Sequence, residues 1–163
     1  MPANRFLQSI TLSADTHVRP RPHVQHDIDT AIHGLLRGNS FDPRWLAEDG
    51  PYHLVLGMKE GRLVFQLGLH PHDVRWQHQC ALQPLRGVIR DYFFICQQFA
   101  EGAAHANPWQ IETLDMARRA VHDEGSVLLA ELLHAEVLVD MPTARHLFTL
   151  ICVLQLGQRR EGL

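Results

Sequence analysis

The sequence predicts an α+β domain, in which a small antiparallel sheet is covered on one face by about four helices. Most of the segments that favour strands lie in the first half, and most of those with apolar residues at helical spacing lie in the second half. The 163 residues, of which 45% are apolar and 20% charged, fit one globular domain. We therefore treat 1–163 as a single domain and expect frayed ends at 1–5 and 157–163.

The strands are predicted from apolar segments of strand length and from the turns between them. Tyr52–Met58 and Arg62–Leu69 form a hairpin, because Gly61 supplies the left-handed residue of a short turn. Val74–Leu82 returns as the third strand of an antiparallel meander. Two shorter segments add one or two further strands: Phe6–Leu12 and Glu136–Val139.

Four segments carry the apolar stripe of a helix, and they begin near Val24, Pro84, Pro108 and Thr143. The second is predicted to reach about His105. The third has the clearest start, because Asn107 can cap it, Pro108 suits the first helical position and Gln110 completes a capping box. Gly125 is predicted to interrupt or kink this helix. Asp140 caps the last helix, which runs to about Leu156 and is apolar nearly all round, so we expect it to be buried.

Two segments are predicted to be loops from their turn-forming composition. Val18–His23 contains two prolines, and Ser40–Pro51 is rich in Asp, Pro and Gly. Within the second loop, Phe41 and Trp45 are expected to pack against the core.

Charge and hydropathy exclude several classes of protein. The formal net charge of −3 argues against a nucleic-acid-binding protein that relies on bulk positive charge. The longest apolar run, Leu147–Leu154, is far shorter than the roughly 20 residues of a membrane helix. The amino terminus lacks a signal-peptide pattern. We therefore expect a cytoplasmic protein with neither a nucleic-acid nor a membrane partner.

Cysteine and histidine usage narrows the chemistry. The three cysteines show no CxxC spacing, and Cys96 and Cys152 lie in apolar stretches, so we expect reduced thiols that belong to the core. The chain is rich in histidine, with twelve residues. Because an unperturbed imidazole has a pKa of about 6.5, acidification towards pH ~6 would reverse the sign of the net charge.

The most informative polar stripe lies on the third predicted helix. Asp115, Arg118 and His122 are spaced i, i+3 and i+7, which places them along one edge beside the apolar face. This trio is suited to orienting an imidazole as a general base or to holding an anion. A structural role, in which an Asp–Arg pair and a capping His tie the helix to the sheet, stays open. Glu124 and Ser126 follow just beyond.

Arginines recur across the helical half and are candidates for an anion-binding pocket. Arg86 and Arg90 share one helix face, and Arg118 or Arg145 would complete a site for phosphate or carboxylate if they converge on it. The alternative is a set of solvated or surface-paired arginines. No glycine-rich phosphate-binding motif is present, so no nucleotide cofactor is expected.

Metal binding and nucleophilic catalysis have little support. His70, His72 and His78 could approach one another across a hairpin, but no zinc signature is present and we predict no metal site. His26 and His33 are too far apart on the first helix to share one metal without help. Ser126 follows Gly125 without the second glycine of a nucleophile elbow.

Four strings in the chain resemble an uncharacterised alphaproteobacterial family, UPF family two-six-two: GPYHLVL, RDYFFIC, PWQIETLDMARRAVHDEGS and VLVDMPTARHLFTLICVL. The resemblance implies kinship and a bacterial setting, but no established activity. Residues of the family's types stand at Arg86, Asp91, Tyr92, Cys96, Asp115, Arg118, Arg119, His122, Glu124, Gly125, Ser126, Asp140, Thr143 and Arg145. The histidines at 70, 72 and 78 depart from the family pattern.

These observations favour a protein that binds a protein partner or a small anionic ligand and does no chemistry. The predicted contacts to that ligand are Arg86, Arg90, Arg118, His122 and Arg145. An enzyme is the alternative, with His122 as acid or base oriented by Asp115 or Glu124, and with Arg118 and Arg86 anchoring an anionic substrate. A third possibility is a homodimer joined through Leu147–Leu154 or a sheet edge.

Overall fold

The computed structural model describes residues 4–13, 22–102 and 107–161, with the backbone alone at 22–23 and 157–161. Most of the predicted loop Val18–His23 and the predicted helix end near His105 lie outside these residues. The described strands are β1 (Leu7–Leu12), β2 (Phe41–Pro43), β3 (Tyr52–Lys59), β4 (Arg62–Gly68), β5 (Trp76–Ala81) and β6 (Val137–Val139). The described helices are α1 (Pro22–Arg37), α2 (Arg86–Gly102), α3 (Pro108–Leu133) and α4 (Met141–Glu161). The predicted α+β class is confirmed.

The main sheet has the strand order β1-β3-β4-β5 and contains the predicted antiparallel meander. Its β3–β4 turn is formed by Glu60 and Gly61, with φ of 53° and 75°. Positive φ at both residues is typical of the two-residue hairpin turn that matches strand twist. The predicted hairpin is therefore confirmed together with its turn.

The first strand joins this sheet in a different direction from the one expected. β1 pairs with β3 in parallel, with Ile10 opposite Leu54, so the sheet is mixed rather than wholly antiparallel. The connection between the two strands contains α1, and a crossover of this kind is what parallel neighbours require. Leu7 and Ile10 of β1 are buried in the core.

A second, two-stranded sheet lies within the segment that we predicted to be a loop. β2 pairs antiparallel with β6, placing Phe41 opposite Val139. The prediction of a continuous loop over Ser40–Pro51 is therefore wrong, because a three-residue strand containing Pro43 has no local signature. Phe41 is fully buried and Trp45 packs against the core, as predicted.

The start of the described chain is held by an arginine within the terminus that we expected to fray. Arg5 lies 3.5 Å from Asp42 and 3.4 Å from Asp49, and it donates to the hydroxyl of Tyr52. Its Nη1 also donates to the carbonyl oxygens of Leu46 and Glu48, each at 3.2 Å. These contacts fasten residue 5 to the loop that follows β2.

α3 begins as the sequence predicts. The side chain of Asn107 accepts a hydrogen bond of 2.9 Å from the Gln110 amide, and the Gln110 side chain accepts one of 3.2 Å from the Asn107 amide. The prediction that Gly125 interrupts this helix is wrong, because α3 is helical through it. A Cβ built on Gly125 would overlap the ring of Phe148, so the glycine allows α4 to approach.

α4 packs between α1 and α3 and also contacts β3. Asp140 caps it by accepting from the Thr143 amide at 3.0 Å, as predicted. The helix continues to Glu161, five residues beyond its predicted end. Leu147, Leu150 and Leu154 are all buried within the chain. Within this segment, Thr149 and Val153 are half-buried.

No helix in the described part of the chain combines the length and the apolar character needed to cross a membrane.

Candidate functional site

One cleft, of about 640 Å³, collects residues from all four helices. α1 contributes Asp27, Thr30 and Ala31, and α2 contributes Tyr92, Cys96 and Phe99. α3 contributes Arg118, Arg119, His122 and Asp123, and α4 contributes Arg145, His146 and Thr149. On all four helices these residues include a pair spaced i, i+4, which is the spacing that places side chains on one face. Helix periodicity thus explains each wall of the cleft.

Two members of the predicted stripe on α3, Asp115 and Arg118, form an ion pair, which Arg119 joins. Arg118 donates to Oδ1 of Asp115 from Nη2 at 2.6 Å and from Nε at 3.2 Å, and Arg119 lies 2.8 Å from Oδ2. The hydrogen bond from Arg118 holds the pKa of the Asp115 carboxyl below its usual range, and the charge of Arg119 adds to this effect. The same bond raises the pKa of Arg118. Asp115 therefore serves as an anchor for two arginines.

His122, the third member of the stripe, is oriented by α4. Its Nε2 lies 2.8 Å from Oγ1 of Thr149, whose hydroxyl donates to the carbonyl oxygen of Arg145 at 3.2 Å. Since a hydroxyl has one proton to donate, the neutral imidazole donates from Nε2 and carries its lone pair on Nδ1. The expectation that Asp115 or Glu124 orients this ring is wrong, because Asp115 is bound to arginines and Glu124 is exposed.

The surroundings of His122 favour its neutral form. The ring makes edge contacts with Tyr92, at 5.4 Å between centroids, and with Phe148, at 5.2 Å. Burial lowers the pKa of His122, and the charges of Arg118 and Arg145 lower it further, while Asp123 opposes them. At neutral pH the cleft therefore contains an uncharged imidazole between two guanidinium groups.

The α2 wall carries a phenol and a thiol. Burial raises the pKa of Tyr92, and the neighbouring Cys96 contributes to the rise. Burial also raises the pKa of Cys96, although Tyr92 and the charge of Arg118 pull it down. The prediction that Cys96 belongs to the core is wrong, because it is half-buried and lines the cleft. Cys152 is buried, as predicted.

The α4 wall places a charged and a neutral group side by side. Arg145 donates from Nε to Oδ1 of Asp123 at 3.2 Å, and both side chains are largely exposed. Next to it, the imidazole of His146 lies so close to α1 that a Cβ on Gly34 would overlap it. Burial lowers the pKa of His146, and the charge of Arg145 adds to this effect.

Two of the predicted ligand contacts lie elsewhere. Arg86 lies beside the β3–β4 turn, with Nη2 3.1 Å from the position a Cβ on Gly61 would occupy. Arg90 is exposed and lies 3.8 Å from Asp91. The prediction that Arg86 and Arg90 converge with Arg118 and Arg145 is wrong, because α2 turns a different face to the cleft.

The remaining candidates have structural neighbours. Ser126 is buried and donates to the carbonyl oxygen of His122 at 2.7 Å, so its hydroxyl serves the helix. The ring of His78 stacks on Trp45 with centroids 6.0 Å apart. Among the residues that the structure describes, no three His, Cys, Asp or Glu side chains are grouped so as to hold a metal ion.

Sequence reasoning missed seven residues of the cleft: Asp27, Thr30, Ala31, Phe99, Asp123, His146 and Thr149. His146 and Thr149 had a usable signal, since they follow Arg145 on one helix at i+1 and i+4. Asp27 had none, because only the packing of α1 against α4 brings it to the cleft.

Residues 4–157 match an uncharacterised protein family, UPF0262. The chain belongs to this family. Over 161 residues it is 44% identical to a UPF0262 protein of Hyphomonas neptunium, and the alignment covers 98% of each chain. A UPF0262 protein of Caulobacter vibrioides is 43% identical over 152 residues, or 93% of this chain and 94% of the relative.

A third UPF0262 protein, from Brucella canis, is 43% identical over 136 residues, which is 83% of this chain and 85% of the relative. The resemblance to an alphaproteobacterial family is thereby confirmed. No solved structure matches the chain. Six of the positions at which the sequence has the family's residue types line the cleft of this protein: Tyr92, Cys96, Arg118, Arg119, His122 and Arg145.

Proposed function

We propose that this protein binds a small anionic ligand in the four-helix cleft without transforming it. The observation that carries the proposal is the meeting of Arg118 and Arg145 at one cavity, although they lie on different helices. A planar guanidinium has five N–H donors and matches carboxylate or phosphate. Two such groups that face one cavity favour a ligand with more than one anionic oxygen.

The hydrogen bonds within the cleft leave donors for a ligand. Arg145 uses Nε for Asp123, and Arg118 uses Nε and Nη2 for Asp115. The terminal N–H groups of Arg145 bond to none of the described side chains. The carboxylates hold the arginines in place and also offset their charge, so selectivity for an anion depends on these donors rather than on a bare positive patch.

The size of the cleft supports a small molecule. A volume of about 640 Å³ lies within the range of roughly 300–1,000 Å³ typical of small-molecule sites. Its wall also offers the ring of Phe99, over which Arg118 lies at 5.9 Å. A ligand with an anionic end and a short neutral body fits this combination.

The test is calorimetric titration with inorganic phosphate and citrate at constant ionic strength. We expect Arg145→Gln and Arg118→Gln to weaken binding about tenfold or more, because hydrogen bonds to charged groups contribute about 1.5–3 kcal/mol. Arg90→Gln is the matched control, since Arg90 is an exposed arginine outside the cleft, and its affinity should equal that of the wild type. The proposal is wrong if neither anion binds, or if Arg90→Gln loses as much affinity as the cleft variants.

A second candidate is an enzyme in which His122 acts as acid or base, now with Thr149 as its orienting group. The lowered pKa of His122 and its bond to Thr149 favour it, since a neutral imidazole with a set tautomer can accept a proton. Native mass spectrometry of untagged protein as purified would identify a retained ligand. If fresh wild type then changes the mass of that ligand and His122→Gln does not, the enzyme is favoured; an unchanged mass favours binding alone.

The cytoplasmic setting, a protein partner and a homodimer joined through Leu147–Leu154 or a sheet edge stay predictions from the sequence.

A further inference from the structure

One carboxylate of the cleft, that of Asp27, forms no ion pair with the arginines of the cleft. Asp27 lines the α1 wall, is exposed, and makes no ion pair with any described residue. The two other carboxylates of the region differ from it, because Asp115 is bound to Arg118 and Arg119, and Asp123 to Arg145. The proposed anion site thus also contains one carboxylate that pairs with no cation among the described residues.

Asp27 and the arginines lie on different walls. Asp27 belongs to α1, whereas Arg118 and Arg145 belong to α3 and α4. The thiol of Cys96 on α2 is affected by both charges: Arg118 lowers its pKa, and Asp27 raises it. Positive and negative groups therefore act on the same cavity from separate helices.

The same cleft is also lined by four groups that carry no charge at neutral pH. Tyr92 and Cys96 have raised pKa values, and the pKa values of His122 and His146 are lowered, in each case chiefly by burial. An ammonium group in the cleft is therefore not repelled by a protonated His122 or His146. The cleft therefore combines the carboxylate of Asp27, several uncharged side chains and the guanidinium groups of Arg118 and Arg145. This combination complements a molecule that bears both a positive and a negative charge.

We propose that the ligand of this cleft is a small zwitterion, whose anionic group bonds to Arg118 and Arg145 and whose ammonium group pairs with Asp27. The proposal rests on the proposed function, because it adds a second contact to the same anion site. Asp27 makes the site selective: an anion without an amine leaves Asp27 without a cation, whereas an aminocarboxylate of matching length satisfies both walls.

The test compares aminocarboxylates with plain carboxylates of equal length by calorimetric titration. The probes are straight-chain aminocarboxylates of three to six carbons, from beta-alanine to aminocaproate, each beside the fatty acid of the same length. We expect at least one aminocarboxylate to bind up to about fivefold more tightly than its fatty acid, as a partly exposed ion pair allows. Asp27→Asn should remove that preference and leave fatty-acid binding equal or stronger.

Asp29→Asn is the control, because Asp29 lies exposed on the same helix, bonds to Gln25 at 2.8 Å and is not part of the cleft. It should keep the wild-type preference. Equal binding of amino and plain carboxylates to the wild type, or loss of the preference in Asp29→Asn, overturns the zwitterion proposal while the anion site stands. Failure of phosphate, citrate and every carboxylate to bind overturns the proposed function as well.

Discussion

The protonation state of the His122 imidazole depends on a few individual contacts. It lies against Tyr92 and Phe148, donates to Thr149 and faces the charges of Arg118 and Arg145. Burial and the two arginine charges favour the neutral ring, and the hydrogen bond to Thr149 places its proton on Nε2. The residue that the sequence marks as a general base is thus held in a defined protonation state by three helices.

This arrangement predicts a dependence of stability on pH. The pKa of His122 is lowered in the folded protein, so below the unfolded value of about 6.5 the unfolded chain binds more protons. The free energy of unfolding should therefore fall as the pH drops through 6.5 towards the folded pKa, with its full value kept above that range. Urea denaturation at pH ~7.5 and ~5.5 measures this loss.

The variant His122→Gln should show a smaller loss between the two pH values, because glutamine does not titrate and its amide can still donate to Thr149. Part of the pH dependence should remain in His122→Gln, because the pKa of His146 is also lowered. The double variant His122→Gln/His146→Gln should show a smaller loss of unfolding free energy still. An equal loss in wild type and His122→Gln would contradict the assignment.

At the scale of the elements, the approach of α3 to α4 depends on a residue without a side chain. The ring of Phe148 occupies the space that a Cβ on Gly125 would need, and Phe148 is fully buried. Helix propensity alone favours alanine over glycine by about 1 kcal/mol. Here the packing of two helices outweighs that preference.

We therefore expect Gly125→Ala to lower the free energy of unfolding by about 1–3 kcal/mol, because the added methyl forces the helices or the Phe148 ring to move. Gly87→Ala is the matched control within α2, where an added Cβ meets nothing within 4 Å; it should raise stability by about 0.5–1 kcal/mol. Urea denaturation of both variants gives the comparison. A stabilising Gly125→Ala would show that α4 does not pack against α3 in this way.

The elements also show what periodicity predicts and what it cannot. The spacing of Arg118 and His122 was enough to place them on one edge of α3, and both line the cleft. Arg86 and Arg90 share a face on α2 as well, but that face is not the one turned to the cleft. A stripe specifies a face within one helix, whereas the neighbour of that face depends on the packing angle between helices.

At the scale of the whole molecule, residues far apart in the chain close the fold. The amide of Ser40 donates to Oγ1 of Thr143 at 2.9 Å, although 103 residues separate them. Thr143 is fully buried, and its own amide is capped by Asp140. This hydrogen bond joins the start of β2 to the start of α4 and so supports the small second sheet.

Thr143→Val keeps the shape of the side chain but leaves the Ser40 amide without its acceptor. We expect a loss of about 1 kcal/mol in the free energy of unfolding, at the lower end of the cost of an unsatisfied donor, because the Ser40 amide is only partly buried. Thr113→Val is the control, since the exposed Thr113 hydroxyl bonds only to the carbonyl oxygen of Trp109 in its own helix; its effect should stay within about 0.5 kcal/mol. A neutral Thr143→Val would mean that water replaces the bond.

The sequence by itself determined the helices, the meander, the capping box at Asn107 and the stripe that carries Arg118 and His122. All of these depend on residues close together in the chain, so period, turn chemistry and capping report them. Tertiary structure alone decided that β1 runs parallel to β3, that β2 pairs with β6, and that Thr149 and Asp27 face His122 and the arginines across a cleft. Those outcomes depend on contacts between segments distant in sequence, where side-chain volumes and packing angles select the neighbour and no local pattern records the choice.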